Sequence, residues 1–150
     1  MRSIHKNLTE EFVMVELELF AYRDADKVLE SKGLLQEVKS ILLSVSKVNH
    51  NEIQELFRLW DWALESYIVK ETTWRWDAYK DKVAVSVELS LIDAVHRDFL
   101  RAILAQKRGK LDALIYVTST FKEPRFCNVK RDIKIFDEIL TVPILLAGLT

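Results

Sequence analysis

Asp77-Ala-Tyr-Lys-Asp-Lys-Val-Ala-Val-Ser-Val-Glu-Leu-Ser90 reads as two strands joined by a short polar break. Thr73 to Tyr79 is rich in Thr, Trp and Tyr, which suit a pleated, half-buried surface. Lys80, Asp81 and Lys82 supply the turn of a hairpin. From Val83 onward the chain alternates. Val83, Val85, Val87 and Leu89 take one face; Ala84, Ser86, Glu88 and Ser90 take the other. A hairpin of this kind can deliver oxygen ligands to one point, an acid from its first strand and alternate residues from its second. Asp77 is the acid on the first strand, and Ser86 and Glu88 share a face of the second. Hard Mg²⁺ takes such oxygen donors. The same spacing also describes an ordinary solvated strand, and taken alone it leaves both readings open.

Working outward, Phe12 to Phe20 alternates with a period of two and predicts a strand. Asp24 is placed to cap a short helix that ends near Gly33, and Leu35, Val38, Ile41, Leu42 and Val45 form the stripe of a second helix from Leu34 to Ser46. Asn49 followed by Glu52 resembles a capping box, and the helix it opens is expected to run to about Val69. In that helix Trp60 falls on the inward stripe, which leaves Trp62 for an interface. Past the hairpin come a helix from Leu91 to Lys107 stopped by Gly109, an apolar strand from Leu111 to Thr118, a loop over Phe121 to Lys130, a helix near Arg131 to Leu140, and a last strand from Val142 to Leu149. The order predicts an α/β fold, a mixed central sheet of about five strands flanked by helices on both faces.

The 150 residues suit one domain, residues 1–150, with few breaks: three glycines and two prolines. The lone Cys127 excludes an intrachain disulfide, and no signal peptide or membrane span is visible, so a soluble cytoplasmic protein is expected. The net charge of −1 argues against indiscriminate coating of nucleic acid. Its distribution is uneven. Between Arg97 and Lys134, ten Lys or Arg residues face four acids, the kind of surface that phosphate contact uses. No Gly-rich phosphate loop, Gly-x-Ser-x-Gly elbow or His/Cys cluster at zinc spacing occurs, so no nucleotide cofactor is expected.

The run from Asp77 to Ser90 resembles the hairpin of PD-(D/E)XK nucleases, and in particular of the BglII/BstYI group of restriction endonucleases. There an aspartate precedes a Val-Ala-x-Glu-x-Glu/Gln/Lys strand. Ile92-Asp93-Ala94-Val95-His96-Arg97-Asp98-Phe99-Leu100 is similar to that group's following helix, Asp112 to Thr118 to its next core strand, and Val142-Pro143-Ile144-Leu145-Leu146 to its late strand. The resemblance implies a restriction-endonuclease-like fold and a Mg²⁺-dependent endonuclease that hydrolyses DNA phosphodiesters. It implies a homodimer as well, because cutting both strands needs two centres.

Carried over by position, Asp77 matches the metal-binding aspartate, Ser86 the second acid, and Glu88 the third residue, with Asp77 and Glu88 as the metal ligands. Arg97 and Arg101 would position the DNA backbone. The departure lies at Ser86, whose neutral hydroxyl is a weak Mg²⁺ ligand. Three explanations stand: a frame shifted to Glu88 and Ser90 with Asp77 or Asp81 as the first acid, a loss of activity, or an engineered change. The alternative function is a catalytically inactive nuclease-fold protein that binds DNA or a partner.

Overall fold

The computed structural model describes residues 3–6 and 12–150, with side chains from Glu16 onward. Ser3–Lys6 (β1) and Phe12–Val15 (β2) form an antiparallel two-stranded ribbon. The predicted strand from Phe12 to Phe20 is therefore broken at Glu16, and its second part, Leu17–Tyr22 (β3), enters a different sheet. Three helices follow: Ala25–Ser31 (α1), Leu35–Leu43 (α2) and His50–Leu59 (α3). Then come Ala63–Tyr67 (β4), Arg75–Lys80 (β5), Val83–Val87 (β6), Ile92–Lys107 (α4), Ala113–Ser119 (β7), Phe126–Ile135 (α5) and Ile144–Leu149 (β8).

The main sheet has six strands in the order β3-β8-β7-β6-β5-β4. Its centre, β6-β7-β8, is parallel, and its margins are antiparallel. A mixed sheet follows from the connections. The two-residue turn Asp81–Lys82 can only return β6 antiparallel, whereas α4 carries the chain back to start a parallel β7. All of β6, β7 and β8 is buried, which is why those stretches read as apolar runs.

Two cores cover the sheet. On the first face α1, α2 and α3 pack Leu29, Ile41, Leu42, Ile53 and Phe57 against Val83, Val85 and Ile115. On the second face α4 and α5 pack Val95, Phe99, Val129 and Ile133 against Ala84, Leu114 and Leu146. Each fully buried aliphatic side chain contributes about 1.5–3 kcal/mol. Gly33 and Gly109 end α1 and α4 at positive φ, as expected of residues just past a helix.

The helix expected to reach Val69 stops at Leu59. Asp61, at φ 67, takes the left-handed turn usually given to glycine, and the Trp62 N–H bonds back to the Phe57 carbonyl. The chain reverses there, so the helical phase used for the two tryptophans no longer applies. Trp62 is the buried one, 2% exposed, edge-on to Phe57 and donating Nε1–H to Glu37 at 2.7 Å, while Trp60 is 43% exposed. The released segment becomes β4, the sixth strand. The loop expected over Phe121 to Lys130 is shorter, since α5 begins at Phe126. Asp24 occupies the cap position of α1 without a side-chain cap bond, whereas Asn49 caps α3 by accepting from the Glu52 N–H. No helix among the described residues is long and apolar enough to cross a membrane.

Candidate functional site

The hairpin does not continue as a regular ladder. Its last pair at the open end is Ala78 with Val85, and there the strand rotates. Ala78 belongs to the first-face core and Trp76 to the second, although residues two apart normally share a face. Opposite this point β4 is itself irregular, with Glu65 at φ 55. Asp77 sits at the rotation, and its side chain takes the place of the missing ladder bond. Its Oδ2 accepts the Val87 N–H at 2.6 Å. Its Oδ1 lies 2.9 Å from His50 Nε2, and the hydrogen bond and charge of Asp77 raise the proton affinity of that imidazole. One turn further along α3, Gln54 donates to the Asp77 carbonyl at 3.0 Å and to Glu65 at 2.7 Å. Asp77 is therefore clamped by α3 on the first face.

Ser86 and Glu88 belong to the other side. Ser86 is only 8% exposed and lies beside Tyr116 in the parallel register of β6 and β7. The Tyr116 hydroxyl donates to Asp98 Oδ2 at 2.8 Å. Burial pushes the Asp98 carboxyl up to about 6; the Tyr116 hydrogen bond and Arg97 oppose that rise, and the charge of Glu88 adds to it. The Glu88 backbone N–H continues the pairing with the Val117 carbonyl at 2.9 Å, but its carboxylate turns aside. Oε2 accepts from the Ser90 N–H and hydroxyl at 3.2 Å each and from the Leu91 N–H at 3.4 Å. It fixes the turn that leads into α4, whose own cap position, Leu91, has no side-chain acceptor. In the shifted frame, Ser90 stands in this turn as a partner of Glu88.

The two predicted ligands are thus held by helices on opposite faces, Asp77 by α3 and Glu88 by the start of α4. No group of three or more His, Cys, Asp or Glu side chains disposed to hold a metal ion occurs among the described residues. Mg²⁺ keeps several of its waters and is held by one or two free carboxylates together with substrate phosphates. Here both oxygens of Asp77 are engaged, the middle position is a hydroxyl, and Glu88 Oε2 is bonded within the Ser90–Leu91 turn. As it stands, this donor set does not fit Mg²⁺.

The predicted backbone contacts also differ from each other. Arg97 is exposed, with Nη2 at 3.8 Å from Asp98. Arg101 stacks its guanidinium 4.4 Å from the Trp74 ring centre, and its Nε is buried without a hydrogen-bond partner. Beyond them, Lys130 and Lys134 of α5 flank the Phe20 ring, at 4.9 and 5.5 Å, and with Arg131 they line an open groove. His50 and Asp98 were not singled out from sequence. A histidine in the first turn of α3 carries no sign of an aspartate 27 positions away, and Asp98 is one more polar residue on an amphipathic helix until Tyr116 is seen above it.

No protein-family model matches the chain, and no curated protein matches it either. Among solved structures, restriction endonuclease BglII complexed with a DNA 16-mer shares its fold, with a TM-score of 0.78 and 19% sequence identity over 90% of this chain and 78% of that one. The mixed sheet with helices on both faces is thus a restriction-endonuclease-like fold.

Proposed function

We propose that this chain binds duplex DNA with a nuclease-type fold but does not hydrolyse it. The observation that carries the reading is the condition of the three hairpin positions. Phosphodiester hydrolysis by this kind of centre needs negative oxygens gathered at one ion. Asp77 is bonded to His50 of α3 and to the Val87 N–H, Glu88 is bonded in the turn that precedes α4, and the position between Val85 and Val87 is a packed, neutral Ser86. Binding needs less. Phosphate contacts require only cations that can release counterions, and Lys122, Lys130 and Lys134 have no ion-pair partner among the described residues. The solved BglII structure, a complex with DNA, supports the choice of ligand.

A second reading, a Mg²⁺-dependent endonuclease with Asp77 and Glu88 as ligands, is favoured by the place of Asp77 at the parting of β5 and β6. Two assays decide between the readings. Anisotropy of labelled duplex DNA over a range of salt reports binding, and plasmid nicking with Mg²⁺ or Mn²⁺ reports cleavage. The expected outcome is salt-sensitive binding with intact supercoiled plasmid, identical for the native protein and Glu88→Ala. Metal-dependent nicking that Glu88→Ala abolishes would establish the endonuclease instead, and absence of binding at low salt would overturn both.

A further inference from the structure

Arg97 and Arg101 form a pair that backbone contact with duplex DNA does not account for. Arg97, Leu100, Arg101 and Leu104 follow one another at helical spacing along one face of α4. Across from them stands Trp74, in the turn between β4 and β5. That turn is fixed at Trp74 on both sides: its N–H donates to the Thr72 hydroxyl oxygen at 3.2 Å, and its carbonyl accepts the Ile68 N–H at 2.9 Å. Together the five side chains line a cleft of about 430 Å³. Apolar walls with a few polar groups, at this size, are the usual form of a small-molecule pocket.

The polar groups of this cleft are short of acceptors. Arg101 lays its guanidinium over Trp74, 4.4 Å from the ring centre, and none of its N–H groups has a hydrogen-bond acceptor among the described residues, the buried Nε included. Asp98, between the two arginines in sequence, gives Oδ2 to Tyr116 and leaves Oδ1 3.8 Å from Arg97 Nη2, beyond hydrogen-bond length. Burial and the charge of Arg97 lower the proton affinity of Arg101, and Asp98 offsets them only in part, a cost that a bound anion would remove. A guanidinium plane backed by an indole is a stacking surface for a base, and a second guanidinium one turn away is placed for its phosphate. In a duplex both faces of each base are covered by its neighbours, so only an unpaired base can enter. We infer that the Trp74–Arg101 cleft binds a nucleotide whose base is unpaired, the base stacked on Arg101 between Leu100 and Leu104 and the phosphate on Arg97. This goes beyond the duplex-binding reading and does not rest on it.

Titration of the isotope-labelled full chain with dAMP tests the site, read from the indole N–H and arginine Nε–H signals in nitrogen–proton correlation spectra. The Trp74 indole and Arg101 Nε–H signals should move and saturate, while the buried Trp62 indole stays in place. Arg101→Lys keeps the charge but loses the plane, and Arg97→Ala loses the phosphate partner; each should weaken dAMP binding about tenfold. Both variants should keep the native dispersion of signals elsewhere, which separates lost binding from lost folding. Inorganic phosphate should bind about tenfold more weakly than dAMP, since it has no base to stack. A short oligo-dA strand that moves the same signals identifies the source as single-stranded DNA, and a response to dAMP alone identifies it as the free nucleotide. No response to dAMP at millimolar concentration would overturn the inference. So would inorganic phosphate that binds as well as dAMP, or dAMP binding indifferent to Arg101→Lys.

Discussion

Replacing Asp98 by Asn should stabilise the protein, and the gain should depend on pH. Asp98 lies beneath Tyr116, and its carboxyl is pushed from an ordinary 3.8 up to about 6, chiefly by burial. The folded state therefore holds a proton over a pH range in which the unfolded chain has already released it. With a folded value above the unfolded one, the native state binds more protons between about pH 4 and 6, so stability falls as pH rises through that window and levels off above it. The gap between 3.8 and about 6, at about 1.36 kcal/mol per pH unit, is about 3 kcal/mol. Asparagine keeps an acceptor for the Tyr116 hydroxyl and carries no charge, but its amide needs partners of its own, at a cost of about 1 kcal/mol or more. The net expectation is a gain of about 1–2 kcal/mol at pH 7.5 that vanishes or reverses near pH 4. Urea titrations of both proteins at pH 4, 5, 6 and 7.5, read by tryptophan fluorescence, measure it. Parallel stability curves, with the same difference at every pH, would refute the claim that ionising a buried carboxyl is what costs stability here.

Three further outcomes follow from the same coordinates. Lys130→Glu/Lys134→Glu should weaken duplex binding across unrelated sequences and lower the slope of log K against log salt by about 0.9 for each phosphate contact removed, as measured by anisotropy. His50→Ala should flatten a second pH dependence of opposite origin: the Asp77 hydrogen bond raises the imidazole's affinity, so its contribution is complete below the unfolded histidine value and is lost as pH rises through the higher folded one. Thermal melts from pH 5.5 to 8.5 would show the native protein losing an advantage over the variant, and an unchanging gap would count against the clamp. Gly148→Ala should destabilise by about 1–3 kcal/mol in a chemical melt, because the added methyl meets Phe126 at 2.7 Å and also presses on its Cβ, the root of the side chain, which cannot swing away.

How far the sequence could be read depended on whether the deciding contact was local. The β5–β6 hairpin, α4 and the apolar β7 and β8 are stated by short-range pattern and turn chemistry, and the structure has them. The α3–β4 break was hidden, because the left-handed stop is an aspartate rather than a glycine and the apolar spacing runs on past it. The start of α5 was hidden for a similar reason: Arg125 holds the cap position without a side-chain cap bond. In the candidate site, period-two alternation correctly grouped Ser86 with Glu88 on one face. It could not show that β5 rotates at Asp77, since that depends on the partner strand's own irregularity at Glu65.

Ser86 ties the site's chemistry to its stability. The second face at this end of β6 already holds Glu88 and Asp98, and Asp98 keeps its proton to about 6 because burial and the neighbouring carboxylate both disfavour its charge. A further carboxylate at a position 8% exposed would add a third negative charge to that enclosure. Arg97 and Arg101 offset only part of that cost, since burial still holds the Asp98 carboxyl up to about 6. A neutral hydroxyl at position 86 is what the enclosure tolerates without a metal. A hydroxyl at position 86, where the resemblance implies an acid, thus adds no further repulsion to that enclosure. Lys130 and Lys134 of α5 lie over Phe20 of β3, so the proposed phosphate binding would not draw on these carboxylates. On the proposed reading, binding and cleavage would therefore draw on separate groups of side chains.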